Sequence, residues 1–267
     1  MRIDAYVSDH KKKRKKRRAY LMGGAIFAGV FSVAIGVLWF LIRSPFFELD
    51  HIAVSGNTVL ATDTVVAVLQ SSALADHGFW HSMLGIKNML IWPDRVPAED
   101  LKFVPQAAAI VTSKDYFANT LDVSVTERNP YAIWCFGANG KCYWFDDQGI
   151  IFGRAFSAEG NLIFTVRDDS QKPRGLNQTV LPAEFLPNLL SILKTVRASG
   201  LSVGTIELRD LSLEEVNVPI ANGPSLLFSL RFPADNYLAV IQSLAKQPGF
   251  SKLSYIDCRT ENRIYYK

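Results

Sequence analysis

The sequence predicts an α+β protein that is anchored by one transmembrane helix near its N terminus. Three observations lead to this fold class: a long uncharged apolar stretch, a β-α-α-β-β succession after it, and then many short strands interrupted by two amphipathic helices. They divide the chain into a basic tail, a transmembrane signal-anchor helix, a first folded domain, and a mixed, mainly antiparallel β domain with two packed helices, at 1–18, 19–42, 46–128 and 129–267.

The apolar stretch at 19–42 has the length and composition of a membrane span. None of its 24 residues is charged. At about 1.5 Å per residue, a helix of this length covers roughly 36 Å, more than a hydrocarbon core of about 30 Å. A buried helix of a soluble domain is the alternative, but such a helix would carry a polar stripe, and this stretch has none.

The flanking charges predict that the N terminus stays in the cytoplasm. Residues 11–18 read KKKRKKRR, whereas Arg43 is followed by Glu48 and Asp50, and cations gather on the cytoplasmic side of membrane helices. A cleaved signal peptide is the alternative, but the apolar core is long and the following LIRSPFF lacks a small-residue cleavage site. We therefore expect a single-pass type II protein of the plasma membrane with extracytoplasmic C-terminal domains.

The positive charge of the chain belongs to the tail. Residues 1–18 carry nine cations and two carboxylates, a net charge of +7, whereas the whole chain carries +4, so that residues 19–267 carry −3. A basic run can bind nucleic acid, but beside a membrane helix the headgroups of acidic lipids are the nearer partner, at about 1 kcal/mol per cation. We expect this tail to bind lipid and no nucleic acid.

Two of the three cysteines flank the sequence FGANGK. A tight turn at Gly137–Gly140 would place Cys135 and Cys142 opposite each other on antiparallel strands. An oxidising compartment permits a disulfide between them, and two unpaired thiols on neighbouring strands are the alternative. Cys258 has no evident partner.

The first folded domain begins with a strand in FFELDHIAVSGN, which ends at a Gly-Asn turn. TDTVVAVLQ then predicts a helix with inward residues Val65, Val66 and Leu69. Residues 71–96 show no clean period, and a second short helix is predicted at 97–103. Two strands follow in AAIVTSKDY and LDVSVTE, the second with strict apolar alternation.

The C-terminal domain is rich in short apolar runs, which predict strands in AIWCF, KCYWF, IIFGR, LIFTVR, 203–208, 214–220 and 225–231. Helices are predicted at 183–199 and 234–246, and the apolar face of the first comprises Leu186, Leu189, Leu190, Leu193 and Val196. A strand pair, LSYIDCR and RIYYK, closes the chain around the turn TEN.

Metal-binding and cofactor-binding patterns are missing from the sequence. His77 and His81 have the i, i+4 spacing of metal ligands but no further ligand beside them, so we predict no metal. No phosphate-binding or dinucleotide-binding motif is present, and we predict no cofactor. Asp146 and Asp147 precede Gln-Gly, as expected in a turn.

A serine acyltransferase is the enzymatic alternative. The motif S-x-x-K of acylating serine enzymes occurs twice, at Ser191–Lys194 and at Ser243–Lys246, but its companion motifs are absent. We therefore predict that the protein is not an enzyme. A membrane-anchored cell-envelope enzyme, such as a serine acyltransferase or a peptidoglycan-processing enzyme, remains the alternative function.

Two other features point to protein partners. The apolar helix has small residues at four-residue steps, which let a second helix approach closely: Gly24, Ala28, Ser32 and Gly36. The last strand, from Arg263 to Lys267, would offer free backbone groups to an added strand if it lies at a sheet edge, because no later segment can cover it. The alternatives are a chance stripe of common membrane residues and an edge blunted by its two cations.

Four segments resemble the FtsQ/DivIB family of bacterial cell-division proteins: FELDHIAVSGN, NTLDVSVTERNPYAIW, WFDDQGIIF and YIDCR. Glu127, Arg128 and Pro130 match the E-R-x-P motif that the family carries at the junction of its two domains. Asp257 and Arg259 match its late D-x-R.

The resemblance covers residues 20–267 and departs from the family at Ala118, where proline is usual, and over 71–96. It implies that residues 46–128 form a POTRA domain, which is followed by the C-terminal β domain. A POTRA-bearing export component is a further interpretation, but such proteins usually carry an outer-membrane barrel, and none follows here.

The functional implication of the resemblance is a division scaffold at the septum of the cell inner membrane. The family recruits divisome proteins, notably the small bitopic FtsB/FtsL (or DivIC/FtsL) pair, and in similar proteins the partner adds a strand at the end of the β domain. Carried over to this sequence, the partner-binding positions are Ile264, Tyr265 and Tyr266, with Asp257 and Arg259 close by.

Overall fold

The computed structural model shows a mixed α/β protein with one N-terminal apolar helix and a large mixed sheet. It describes residues 3–75, 83–137, 140–156, 163–170 and 173–267, with the backbone alone over 3–19. The chain divides into two compact units, the first formed by 1–55, 65–96 and 111–124, and the second by 56–64, 97–110 and 125–267.

Helix α1 runs from Ile3 to Arg43 and contains the apolar segment. Its part from Tyr20 to Arg43 has 24 residues, is strongly apolar, and is long enough to cross a membrane. The helix ends where Pro45 begins a 3-10 turn, Pro45–Phe47, because proline lacks the N–H that would continue the helical ladder. The Asn88 side chain covers this end and donates a hydrogen bond to the Leu41 carbonyl oxygen at 2.8 Å.

A three-stranded sheet has the order β1-β3-β2, with strands β1 (His51–Ser55), β2 (Ala107–Asp115) and β3 (Thr120–Glu127). Strands β1 and β3 are parallel, so that Ile52 lies beside Leu121. Helix α2 (Thr62–Ala75) follows β1 as predicted. Of its predicted inward residues, Val65 and Leu69 are buried and Val66 is half-buried.

The second helix predicted for this region, at 97–103, is only a single 3-10 turn, Asp100–Phe103. The prediction of an α-helix was wrong because two prolines bracket the segment. Pro97 can start a turn, but Pro105 disfavours helical backbone in the residue before it and cannot extend a helix.

Residues 83–96, where the sequence has no periodicity, fold without a long regular element. A 3-10 turn, Met89–Ile91, buries Met89, and the neighbouring Trp92 is also buried. The Trp92 indole N–H donates to the Ile86 carbonyl oxygen at 3.1 Å, which satisfies the one polar atom of that side chain.

The large sheet has nine strands among the described residues. In the described part of the chain, five neighbouring pairs are antiparallel and three are parallel. The strands are β4 (Ala132–Phe136), β5 (Cys142–Phe145), β6 (Ile151–Ala155), β7 (Thr165–Asp168), β8 (Ile206–Leu208), β9 (Glu215–Pro219), β10 (Ser225–Ser229), β11 (Tyr255–Thr260) and β12 (Arg263–Tyr266). Their order across the sheet is β12-β11-β10-β9-β8-β7-β4-β5-β6.

Helices α3 (Leu186–Ser199) and α4 (Leu238–Ala245) pack into the core of this sheet, as predicted from their apolar periodicity. Of the predicted apolar face of α3, Leu189, Leu193 and Val196 are buried, and Leu186 and Leu190 are partly buried. Gly200 ends α3 in the left-handed conformation, with a φ of 73°. The core lies on one sheet face, where the buried residues of β11 are Ile256 and Cys258.

Candidate functional site at the C-terminal sheet edge

Strand β12 is the outermost strand of the nine-stranded sheet. It returns from β11 through a tight turn in which Asn262 has a φ of 59°, a left-handed conformation that asparagine tolerates. Asp257 lies opposite Tyr265, and Ile256 lies opposite Tyr266. Beyond β12, Lys267 and Tyr255 exchange backbone hydrogen bonds, which fix the end of the hairpin.

The hydrogen-bond pattern of the hairpin decides which backbone groups face outward. In an antiparallel pair, positions that exchange hydrogen bonds alternate with positions that do not. Because Lys267 bonds to Tyr255, the next bonded position on this strand is Tyr265, which faces β11. The N–H and C=O of Ile264 and Tyr266 therefore point away from the sheet.

The opposite edge of the sheet, at β6, is covered by the chain itself. Ile151 donates its N–H to the Gln178 carbonyl oxygen at 2.9 Å and accepts from the Asn177 N–H at 2.7 Å, and Ile150 forms a bridge with Thr179. No described strand covers β12 in this way. An uncovered edge with outward N–H and C=O groups is a template for an added strand.

The side chains of β12 alternate between the two faces of the sheet. Ile264 packs partly against the core under the helices. Tyr266 is 56% exposed on that side, and Tyr265 is 50% exposed on the other side, beside Asp257. A strand added here would thus contact one tyrosine on each face.

Arg259 connects two strands on the sheet face opposite the helices. Its guanidinium forms a bidentate pair with Asp257, at 2.6 and 2.9 Å, and a further bond to Glu215 of β9 at 2.9 Å. The hydrogen bond from Arg259 holds the pKa of Asp257 below its ordinary value, and the bond to Asp257 raises the pKa of Arg259. Asp257 and Arg259, which were predicted to lie close to the partner-binding strand, therefore form an ion pair on β11, the strand next to the edge.

A cavity of about 400 Å³ opens on the same face, next to this ion pair. Its lining includes Arg259, Glu215, Glu207 and Asn217. Burial raises the pKa of Glu207, but hydrogen bonds from Arg209 and Asn217 outweigh it and hold that pKa below its ordinary value. The Asn217 Oδ1 atom is buried without a hydrogen-bond partner among the described residues, so it is an unsatisfied acceptor in a residue of the cavity wall.

The sequence alone did not predict that these residues would line a common cavity. The alternation of residues 214–220 places Glu215 and Asn217 on one face of β9, but nothing local shows that Arg259 and Glu207 come to lie beside them. These neighbours come from strands that are distant in sequence, and their register is set by the core on the opposite face.

The predicted cysteine pair lies in this same sheet. Cys135 on β4 and Cys142 on β5 are register partners and are joined by a disulfide. Cys258 is a buried thiol, and its burial, with a smaller contribution from Asp257, raises its pKa to about 12. A thiol with so high a pKa carries no thiolate at neutral pH and is a poor nucleophile.

Glu127 of the E-R-x-P motif closes a backbone loop. Its carboxylate accepts from the N–H groups of Thr58, Val59 and Leu60 at 2.8 to 2.9 Å, and from the Thr58 hydroxyl. Burial raises the pKa of Glu127, but the hydrogen bonds from Thr58, Leu60 and Val59 outweigh it and lower the pKa from 4.5 to about 2. The Glu127 carboxylate is therefore the common hydrogen-bond acceptor for the three successive N–H groups of this turn.

Arg128 and Asp146 form an ion pair that is largely shielded from water, with side chains 12% and 6% exposed. Arg128 also donates to the Pro105 carbonyl oxygen at 3.1 Å. Asp146 accepts from the N–H groups of Gln148 and Ile150, so it caps the turn that was predicted there. Pro130, the last residue of the motif, is exposed.

The two serines of the S-x-x-K motifs, Ser191 and Ser243, both lie on helices that pack into the core of the large sheet. The Ser191 hydroxyl donates to Asp235 Oδ2 at 2.6 Å and accepts from the Ala234 N–H at 2.8 Å, and the Lys194 ammonium lies 3.8 Å from the other oxygen of the same carboxylate. Ser243 lies on α4, and its carbonyl oxygen accepts from the Lys246 N–H. His77 and His81 lie outside the described residues.

The small-residue stripe of α1 is exposed along its length, at Gly24, Ala28, Ser32 and Gly36. A Cβ atom added at Gly24 or Gly36 would meet no atom within 4 Å. The stripe therefore has room for the close approach of a second helix.

A comparison with models of known protein families finds no match to this chain, and a comparison with curated proteins finds none either.

We predict that Glu127→Gln lowers the free energy of unfolding by about 1–3 kcal/mol at neutral pH, because three N–H groups lose a charged acceptor. The pKa of Glu127 is lower in the folded state, so its contribution is complete above pH 4.5 and is lost as the pH falls to about 2. Denaturant unfolding as a function of pH measures the difference, which should vanish near pH 2. Asp122→Asn, an exposed carboxylate on the same strand, is the control. An equal effect of both substitutions at all pH values would contradict the assignment.

We predict that Asp146→Ala destabilises the protein by about 3–5 kcal/mol, because it leaves the Arg128 cation without its buried partner. The double variant with Arg128→Ala should lose less than the sum of the single variants in a denaturant-based double-mutant cycle. The exposed pair of Lys194 and Asp235 serves as the control, since Lys194→Ala should change stability by no more than about 1 kcal/mol. Additive effects of the Arg128 and Asp146 substitutions would show that the pair contributes no coupling.

Proposed function

We propose that this chain is a non-enzymatic, bitopic cell-division scaffold of the FtsQ/DivIB kind, which docks other divisome proteins through its extracytoplasmic domains. The observation that carries the proposal is the open edge at β12, which lies in the segment where the resemblance to that family implies partner binding. Its partners are small bitopic proteins of the FtsB/FtsL or DivIC/FtsL type.

The topology of the proposed scaffold follows from the apolar segment and the charges around it. The basic run at 11–18 holds the N terminus in the cytoplasm, where it attracts acidic lipids, and the segment from Tyr20 to Arg43 spans the inner membrane. The part of the chain after the membrane helix, residues 44–267, then works outside the cytoplasm, at the division septum.

The region 46–128 is proposed to be a POTRA domain. Its order of elements is strand, helix, strand, strand, and β3 lies between β1 and β2. The second helix of the POTRA pattern corresponds to the 3-10 turn Asp100–Phe103. Glu127 and Arg128 at its end hold the loop at 58–60 and the turn at 146–150, which accounts for a paired acid and base in the motif.

Docking is proposed to occur by strand addition to β12. The backbone groups of Ile264 and Tyr266 supply the hydrogen bonds, and the two tyrosines supply contacts on both faces. The cavity beside Arg259 lies on the face that Tyr265 shares, so a partner that continues beyond the added strand can place a polar side chain near Asn217.

A crosslinking pull-down of the full chain from dividing cells tests the class of function. Recovery of small coiled-coil bitopic proteins supports the scaffold. Labelling by a serine-reactive β-lactam probe that is lost on Ser191→Ala or Ser243→Ala would instead support the envelope enzyme.

The strand-addition mechanism predicts different outcomes for two substitutions at one position. Tyr266→Pro removes an outward N–H without breaking a bond to β11, whereas Tyr266→Ala removes only the side chain. One interstrand hydrogen bond is worth about 0.5–1.5 kcal/mol, so proline should weaken partner binding by up to about tenfold more than alanine does. Binding of the recovered partner to both variants in detergent measures the difference.

Truncation after Asn262, which deletes β12, should abolish partner capture while circular dichroism of the remaining fold stays largely unchanged. Equal binding by the proline and alanine variants, or partner capture by the truncated chain, would contradict docking at this edge.

A further inference from the structure

Five aromatic rings form a continuous cluster at the extracytoplasmic end of the apolar helix. Phe40 belongs to that helix, and its ring centroid lies 5.9 Å from that of Phe47. Phe46 lies 5.3 Å from Phe47 and 5.7 Å from Phe117, and Tyr116 stacks on Phe46 at 5.6 Å. The cluster thus links the apolar helix to the loop between β2 and β3.

The outer end of this cluster is exposed. The Phe117 side chain is 94% exposed and that of Phe46 is 40% exposed. A phenylalanine at the tip of a loop contributes nothing to a core, and in water it leaves a large apolar surface uncovered. We therefore expect the exposed Phe117 side chain to contact an apolar surface outside the protein.

The loop that carries Phe117 is held in place beside the chain that leaves the helix. Asp115 accepts hydrogen bonds from the N–H groups of Phe117 and Ala118, both at 3.0 Å. Asn119 accepts from the Asp50 N–H at 2.9 Å. The aromatic tip is thus fixed by two sets of backbone bonds next to the end of the apolar segment.

A second segment, at 83–87, also places exposed apolar side chains beside the end of the apolar helix. A small cavity of about 180 Å³ is lined by Ile42 and Arg43 of the helix and by Leu84 and Lys87. Met83 and Ile86, which flank these residues, are exposed apolar side chains. Arg43 and Lys87 are exposed cations that line this cavity together with the exposed Glu48, and both cations would lie near lipid phosphates.

We propose that the Phe46–Tyr116–Phe117 surface inserts into the outer leaflet of the bilayer that the apolar helix crosses. The occupant is lipid rather than protein, because the exposed aromatic surface is continuous with the membrane-spanning helix through Phe40. Aromatic side chains concentrate at the membrane–water interface, and Trp39 in the last turns of the helix marks that level. Insertion at a second point would restrict rotation of the sheet of β1, β2 and β3 about the membrane helix.

A reporter at Ala118 tests this insertion in the full-length protein. The chain carrying Ala118→Cys is labelled with an environment-sensitive fluorophore and reconstituted into vesicles of phosphatidylethanolamine and phosphatidylglycerol. Quenching is measured with a nitroxide-bearing lipid and with aqueous iodide. The parent chain gives the labelling background, since Cys258 is buried and the other two cysteines form a disulfide.

Phe156→Cys is the matched control reporter, because Phe156 is also 94% exposed and lies outside the cluster. We expect the lipid nitroxide to quench the Ala118 reporter several-fold more than the Phe156 reporter, and iodide to show the reverse order. Adding Phe117→Asp should remove this difference, and an exposed site tolerates that change without loss of the fold.

Equal quenching of the two reporters would overturn the proposal. So would an Ala118 reporter that stays protected from iodide when Phe117→Asp is added. Protection in native membranes without protection in the lipid vesicles would also overturn it, and would show that a protein covers the surface. These outcomes are independent of partner binding at β12.

Discussion

An open sheet leaves a row of unpaired backbone groups at each of its two edges. In the described part of the nine-stranded sheet, one edge is covered by the chain and the other is open. The chain folds back over β6 through the bonds of Ile151 to 177–178, whereas β12 has no such cover among the described strands. The outward N–H and C=O groups of β12 are the constraint on which the proposed function depends. A protein that kept this edge exposed without a use for it would risk edge-to-edge aggregation.

The arrangement of the sheet faces follows from the same geometry. Helices α3 and α4 cover one face and form the core, so the alternate residues of β9 and β11, which include Glu215, Asp257 and Arg259, satisfy their charges on the other face. Arg259 therefore bridges Asp257 and Glu215 there, and the cavity beside them retains an unpaired acceptor at Asn217. The polar face and the open edge meet at the same corner of the molecule, where one partner could use both.

Polar groups with several simultaneous partners hold the irregular segments of the chain. Glu127 serves three N–H groups of the loop at 58–60, and Asp146 serves both a turn and the Arg128 cation. Asn88 covers the end of the apolar helix. Such groups stabilise loops that bury too little apolar surface to be stable on their own, and they give the charged residues Glu127 and Arg128 a structural role.

The sequence by itself determined the apolar helix, the alternating strand at Thr120–Glu127 and the two core helices, because each of these depends on a local period of apolar residues. It also singled out the last strand as the place to look for a partner. Only the tertiary structure decided that β12 occupies a sheet edge, that Glu215 completes the Arg259 pair, and that residues 83–96 pack without a regular element. These features arise from contacts between segments that are distant in the chain, and local periodicity does not encode which strands become neighbours or in what register.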